Sequence, residues 1–148
     1  MGKMGKIMIT VGLIWLLVGC IYGYNLAQLQ NSFLNEMKTL TEKGDLVGFW
    51  KTFRAWKIKC ILGHDHILCF SYILILTGLV MPYIRLGEAL KAVLGVLLII
   101  GAVMSPLFVL LFKYKPGMLV ANVLIMAIIL VYAIGALIGL VVKEESKG

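Results

Sequence analysis

The 148-residue chain is 61% hydrophobic and only 14% charged, with a mean hydropathy of +1.01. Soluble domains are close to half apolar and a quarter charged, so this composition excludes an ordinary soluble fold and indicates a membrane protein. The formal net charge is +7. Because the basic residues lie beside long apolar segments, lipid headgroups explain them better than nucleic acid, and we expect no nucleic-acid partner.

The first apolar segment covers about residues 7–27 and is long enough to cross a hydrocarbon core of about 30 Å. Leu17-Val-Gly-Cys20 looks like a bacterial lipoprotein cleavage box, and a basic start before an apolar run is typical of a signal peptide. We nevertheless expect this segment to be a retained span. Gly19 and Gly23 form a small-residue pattern that permits close helix approach, although a glycine-rich chain produces such pairs by chance.

Residues 28–60 form the one long polar stretch, which we interpret as an amphipathic loop. Asp45 is a candidate N-cap for a helix that follows it. That helix carries apolar residues at three- and four-residue spacing beside lysine and arginine, a pattern typical of a helix lying in the headgroup plane. The apolar positions are Leu46, Phe49, Trp50, Phe53 and Trp56.

Three further apolar segments cover about residues 62–84, 89–112 and 118–142, and Pro106 should kink the second of them. The chain is therefore predicted to be an all-α integral membrane four-helix bundle, a single domain over 1–148, with an interfacial amphipathic segment in its first loop. We expect a multi-pass protein of the cell membrane. The distribution of lysine and arginine slightly favours the first loop inside the cell.

The stretch Cys60-Ile-Leu-Gly-His-Asp-His66 opens the second apolar segment and contains the only two histidines of the chain. In a continuous helix, residues two apart point in nearly opposite directions, so only one of His64 and His66 would face the bundle. A non-helical turn at Gly63 would instead let Cys60, His64, Asp65 and His66 converge as ligands for zinc or copper.

The sequence Gly63-His-Asp-His-Ile-Leu68, followed by Gly78 and Arg85, resembles the Gly-His-x-His opening of the second helix in small four-helix membrane proteins of uncharacterised function. The element Gly101–Pro106 is similar to that group as well. These proteins are in turn distantly reminiscent of subunit I of haem-copper oxidases, where a histidine near the start of the second helix binds haem. The resemblance implies His66, and next His64, as an axial ligand of haem b.

Three interpretations of the histidines stay open: polar interfacial residues without a ligand, haem b ligands, and a zinc, copper or proton-handling site. Two function classes follow. One is a haem- or metal-binding membrane protein with a possible role in electron transfer. The other is a structural or accessory subunit that packs against membrane partners, or against a second copy, through the faces of Gly19/Gly23 and Gly135/Gly139.

Remaining candidates for chemistry are few. No nucleophile with an adjacent base is evident in the sequence, so we favour a protein that is not an enzyme. The odd number of cysteines, Cys20, Cys60 and Cys69, indicates no disulfide framework. We expect Ser71, Thr77 and Asn122 to form hydrogen bonds between helices.

Overall fold

The computed structural model describes the backbone of residues 2–112 and 115–145 and the side chains of residues 2–59, 63–110 and 116–139. Every regular element within these ranges is helical. In chain order the elements are α1 (Lys3–Glu42), α2 (Leu46–Lys57), a π-helical segment (Ile58–His64), α3 (Asp65–Val80), a 3-10 turn (Met81–Tyr83), α4 (Glu88–Leu107), a second π-helical segment (Phe108–Phe112) and α5 (Lys115–Glu145).

Four helical stretches are long and apolar enough to cross a membrane: Lys3–Glu42, Asp65–Tyr83, Glu88–Leu110 and Pro116–Gly139. The prediction of an all-α chain with four such segments is confirmed. The largest difference from the predicted bounds concerns the first segment, which does not end near residue 27 but continues as one helix of 40 residues.

The close packing of α1 against α3 depends on glycines. Gly5, Gly12 and Gly19 are spaced by seven residues along α1, and all three are buried. A Cβ atom on Gly12 would lie 2.7 Å from Ile75 Cγ1, and one on Gly78 of α3 would lie 2.7 Å from the carbonyl oxygen of Gly5. The two helices run antiparallel, and the missing side chains let their backbones approach each other, as small residues do in membrane bundles.

The hydrophobic core lies between α1, α3, α4 and α5, whereas the outward faces of these helices are also apolar. Leu17, Leu76, Met126 and Leu137 are all more than half exposed, which suits a lipid environment and not water. The buried core consists of Met8, Phe70, Leu74, Met81, Ile84, Leu98, Ala102, Ile125, Ile128 and Tyr132.

The distal half of α1 packs against α2 as an antiparallel helical hairpin, which we call the distal hairpin (residues 27–57). The turn between the helices uses Gly44 at φ +69, a conformation that favours glycine. The side chain of Asp45 accepts a hydrogen bond from the backbone N–H of Gly48 at 2.8 Å, which confirms the predicted N-cap. Across the hairpin, the Thr52 hydroxyl donates to Glu36 Oε1 at 3.0 Å.

The predicted placement of the amphipathic helix in the headgroup plane stays a prediction, whereas its packing within the chain is observed: α2 lies against the distal half of α1. Because α1 is unbroken from Lys3 to Glu42 and α2 runs back along its distal half, the distal hairpin extends the axis of the bundle. Long helices curve with a radius of about 60–100 Å, so the roughly 24 Å from Ala27 to Glu42 bends by only about 15–25°. The distal hairpin is therefore close to collinear with the part of α1 that packs in the bundle.

Both small-residue pairs proposed as partner surfaces are covered by the chain itself. A Cβ atom on Gly19 would lie 2.8 Å from Leu68 Cδ2, and Gly139 contacts the carbonyl oxygen of Tyr83. In addition, the Arg85 N–H donates to the carbonyl oxygen of Gly135 at 2.9 Å. The prediction that these faces are available to other proteins is therefore wrong, because α3 and the α3–α4 connection already fill them.

Candidate functional site at the junction of two π-helical segments

Two π-helical segments meet at one end of the bundle. The first, Ile58–His64, follows α2 directly and leads directly into α3, so the chain stays helical from Leu46 to Val80. Gly63 in this segment is buried and contacts Leu110 of the second segment, Phe108–Phe112. π-Helices are rare and occur frequently at functional sites, so this contact identifies the region, here called the π junction, as the candidate site.

The continuous helix decides between the two alternatives that the sequence left open for the histidines. His64 has φ −63 and ψ −49, which are helical values. The non-helical turn at Gly63 that metal convergence requires is therefore not present. His64 and His66 point to different neighbours, as expected for residues two apart on a helix.

The His64 imidazole lies against the backbone of α1. A Cβ atom on Gly23 would lie 2.5 Å from His64 Nε2, so this glycine leaves the space that the ring occupies. The ring centroids of His64 and Tyr22 are 6.5 Å apart, and His64 Nδ1 lies 3.7 Å from Asp65 Oδ1. These contacts enclose most of the ring, and the His64 side chain is 26% exposed.

His66 faces the other side of α3. Its ring packs edge-on against Phe70, with the centroids 5.7 Å apart and the ring planes at 73°. Neither ring nitrogen forms a hydrogen bond or an ion pair with another residue that the structure describes. His66 is thus the histidine with nitrogens open to a ligand, whereas the Nε2 edge of His64 is covered by Gly23.

The four candidate metal ligands are not brought together as far as the structure describes them. Within its described residues, no group of three or more His, Cys, Asp or Glu side chains could hold a metal ion. The side chain of Cys60 lies outside the described residues. Of the other three, His64 and Asp65 are neighbours and His66 points elsewhere. A zinc or copper site with all four ligands would need a backbone other than this continuous helix, and metal binding by the chain stays a prediction.

Tyr22, Gly23 and Leu110 complete the π junction, and the sequence analysis missed their part in it. The hydroxyl of Tyr22 donates to the backbone carbonyl of Lys59 at 3.4 Å, which ties α1 to the first π-helical segment. The nearest signal in the sequence is the spacing of Gly19 and Gly23. That spacing indicated a close approach of helices but did not indicate that a histidine ring fills the space.

A polar pair joins α4 and α5 near the same end of the bundle. The buried hydroxyl of Ser105 donates to Asn122 Oδ1 at 2.7 Å, which confirms the predicted interhelical hydrogen bond for Asn122. The prediction for Ser71 is wrong, because its hydroxyl bonds the carbonyl of Ile67 in its own helix at 2.6 Å. Serine and threonine hydroxyls in apolar helices commonly donate a hydrogen bond to the backbone carbonyl four residues earlier.

At the opposite end of the bundle, Lys91 is buried although it carries a charge. Its Nζ lies 2.9 Å from Glu88 Oε1, one turn earlier in α4. The hydroxyl of Tyr132 on α5 donates to the backbone carbonyl of Lys91 at 2.9 Å. The lysine stem therefore packs among apolar groups while its head extends toward the end of the helix, an arrangement known as snorkelling.

Comparisons with known proteins leave the function to be argued from this geometry, because no family model, no curated protein and no solved structure matches the chain. The resemblance to four-helix membrane proteins with a Gly-His-x-His motif stays a prediction for the same reason.

Proposed function

We propose that the chain is a multi-pass integral membrane protein with a structural role, an accessory subunit whose distal hairpin stands outside the bilayer and docks a partner. The unbroken α1 is the observation that carries this proposal. A helix of 40 residues is about 60 Å long, twice the thickness of a hydrocarbon core of about 30 Å. Its distal half must therefore leave the apolar layer.

The contacts of the distal hairpin support a firm extension of the bundle. In addition to the Thr52–Glu36 hydrogen bond, the ammonium group of Lys59 lies over the ring of Phe33, 5.6 Å from its centroid. Leu40 packs against Gly48, where a Cβ atom would lie 2.9 Å from Leu40 Cδ2. These contacts hold the hairpin in one conformation, as a surface that docks a partner requires.

The depth of the hairpin is tested with spin labels in a background from which the native cysteines are removed. We expect a label on Lys38→Cys to collide with a water-soluble nickel chelate, and a label on the lipid-facing Leu17→Cys to collide with oxygen instead. Both positions are exposed on α1 and serve as controls for each other. A Lys38→Cys label that prefers oxygen would place the hairpin in the bilayer and overturn the proposal.

The accessory role is tested by measuring the size of the complex that is extracted from native membranes. Solubilised in a mild detergent, the protein should migrate as part of a complex much larger than its own 16.4 kDa with bound detergent. Leu40→Asp, which breaks the hairpin and leaves the bundle intact, should release it as a small species. A wild-type protein that already migrates alone would contradict an accessory role.

For orientation, we propose that the hairpin faces the cytoplasm, as the slight excess of basic residues on that side favours. A cysteine introduced at Lys43 should then react with an impermeant reagent only after the membrane is opened. Labelling of intact cells would reverse the orientation without affecting the docking role.

A haem b protein with a role in electron transfer is a second candidate, and the unpaired imidazole of His66 favours it. The residues fit one axial ligand, and haem would supply redox chemistry there. Met81 is not a second ligand, since it lies fifteen residues along α3, about 22 Å away. Met104 lies on α4 next to Ser105, on the part of that helix that leads into the second π-helical segment.

An absorption spectrum of the purified protein separates the two candidates. A Soret band that is lost in His66→Ala and kept in the matched variant His64→Ala would establish haem binding through His66. Protein from haem-replete cells without such a band, and without stoichiometric metal by elemental analysis, would exclude the second candidate.

A further inference from the structure

The outer face of α2 is apolar and exposed although it belongs to the distal hairpin. Leu46, Val47 and Trp50 are 68%, 66% and 62% exposed. With Lys51 and Arg54 they line a shallow groove of about 340 Å³, which we call the docking face. The inner side of the same helix is occupied, since Thr52 is buried against α1.

On the proposed placement of the spans, the docking face lies outside the bilayer. The second apolar segment begins at about residue 62, and Trp50 lies about twelve residues before it along a continuous helix, which corresponds to about 18 Å. The headgroup layer adds only about 5–8 Å on each side of the hydrocarbon core. Even a helix tilt of about 40° leaves Trp50 about 14 Å from the apolar layer, which is beyond the headgroups.

The charges on the hairpin indicate what covers the face instead. Each of the three acidic side chains of the hairpin region has a contact within the hairpin. Glu36 accepts a hydrogen bond from Thr52, Glu42 lies 3.9 Å from Lys38 Nζ, and Asp45 accepts from the backbone N–H of Gly48. By contrast, neither Lys51 nor Arg54 has an ion-pair partner among the described residues. The hairpin of a second copy would thus add two more unpaired cations, while each of its carboxylates already has a contact within its own hairpin.

We propose that the docking face binds an amphipathic helix of a partner protein, with an apolar stripe against Leu46, Val47 and Trp50 and with carboxylates opposite Lys51 and Arg54. The five residues lie at positions i, i+1, i+4, i+5 and i+8 and form one continuous stripe along α2. A helix laid along such a stripe is a common form of recognition. This inference rests on the proposed docking role of the hairpin.

The test uses the full chain in nanodiscs of zwitterionic lipid, with Trp15→Phe and Trp56→Phe so that Trp50 alone reports. The probe is a synthetic helical peptide with leucines at positions 1, 4, 5 and 8 flanked by glutamates; its control has lysine for every glutamate. We expect only the acidic peptide to bind, with a blue shift of the Trp50 emission and an affinity that falls with salt.

Two variants locate the binding on the docking face. Replacing Lys51 and Arg54 together with glutamine should weaken binding about tenfold. Replacing Lys38 and Lys43, which lie off the face, is the matched control and should leave binding unchanged. With the peptide labelled instead and Trp15 and Trp56 kept, Trp50→Ala should weaken binding about thirtyfold relative to the unchanged chain, as expected for a central aromatic anchor.

Three results would overturn the inference. These are equal binding of the acidic and basic peptides, a blue shift of Trp50 on anionic nanodiscs without peptide, and concentration-dependent self-association that Trp50→Ala abolishes. The second result would assign the face to lipid and the third to another copy of the chain. If the inference fails while the Lys38→Cys label remains open to the nickel chelate, the docking role of the hairpin stands and only the partner's chemistry is wrong.

Discussion

The two halves of α1 use the same seven-residue spacing with opposite kinds of side chain. In the proximal half the positions facing α3 are Gly5, Gly12 and Gly19, and in the distal half the series continues as Leu26, Phe33 and Leu40. A seven-residue repeat keeps one face of a helix turned to its antiparallel neighbour along the whole length. The side chains change where the proposed membrane ends.

On the proposed placement in the membrane, the difference follows from the solvent on each side of that boundary. Lipid tails are as apolar as leucine, so large side chains gain little by turning inward, and helices associate through close backbone packing. In water, burial of Phe33 and Leu40 removes apolar surface from the solvent and stabilises the hairpin directly. The proximal half of α1 thus packs through close backbone contact and the distal half through burial of large apolar side chains. Substitutions in the two halves should therefore destabilise the protein in different ways.

In the proximal half, the substitution Gly12→Leu should cause the largest loss of stability. A Cβ atom there would lie 3.0 Å from the carbonyl oxygen of Ser71 and 3.1 Å from the backbone nitrogen of Ile75, and backbone cannot move aside as a side chain tip can. We expect a loss of about 3 kcal/mol or more in the free energy of unfolding. Thermal unfolding in detergent measures it.

Gly87→Ala is the matched control, because nothing lies within 4 Å of a Cβ atom at that position. It should leave the unfolding midpoint unchanged. A Gly12→Leu protein as stable as the wild type would mean that α1 and α3 are not closely packed.

Much of this architecture could be predicted from the sequence, and the misses have physical causes. The spans and the Asp45 cap depend on local patterns of hydropathy and side-chain type, which a single segment carries by itself. The length of α1 was also accessible, because no glycine or proline interrupts Tyr24–Lys43. The drop in hydropathy at residue 28 ends the predicted apolar span, but the helix continues to Glu42.

The seven-residue spacing of Gly5, Gly12 and Gly19 is also present in the sequence, and it predicts the face that packs against α3 better than the four-residue pair Gly19/Gly23 does. The π junction is different in kind. Whether Gly63 continues a helix or turns it depends on its contact with Leu110, which is 47 positions away in the chain. No local pattern encodes that contact, so the sequence could only state both alternatives for His64 and His66.

In the distal half, Leu40→Ala should destabilise the hairpin and leave the bundle intact. Leu40 packs against Gly48 across the hairpin, and truncation of a largely buried leucine costs about 2 kcal/mol. Hydrogen exchange should accelerate in α2 and stay unchanged in α3. The exposed Leu34→Ala on the same helix is the control. Equal acceleration in both helices would show that hairpin and bundle unfold as one unit.

A smaller effect in the same half is expected from Asp45→Ala. Its side chain holds the N–H of Gly48 in the first turn of α2, and loss of such a cap costs about 1 kcal/mol. Exchange should increase at the first amides of α2, and Asp45→Asn, which keeps an acceptor, should restore most of the protection. Failure of asparagine to restore it would assign the effect to charge instead of capping.

The smallest effect tests the bundle's polar contact and sharpens the contrast between its two kinds of packing. Ser105→Ala removes the 2.7 Å hydrogen bond to Asn122 but leaves α4 and α5 in apolar contact. Hydrogen bonds between membrane helices contribute about 0.6 kcal/mol on average, because the partner group finds other partners. We therefore expect a barely measurable shift in the unfolding midpoint, far smaller than that of Gly12→Leu. A double-mutant cycle with Asn122→Ala isolates the pair, and a coupling above about 2 kcal/mol would mean that polar contacts, and not close backbone packing, hold this bundle together.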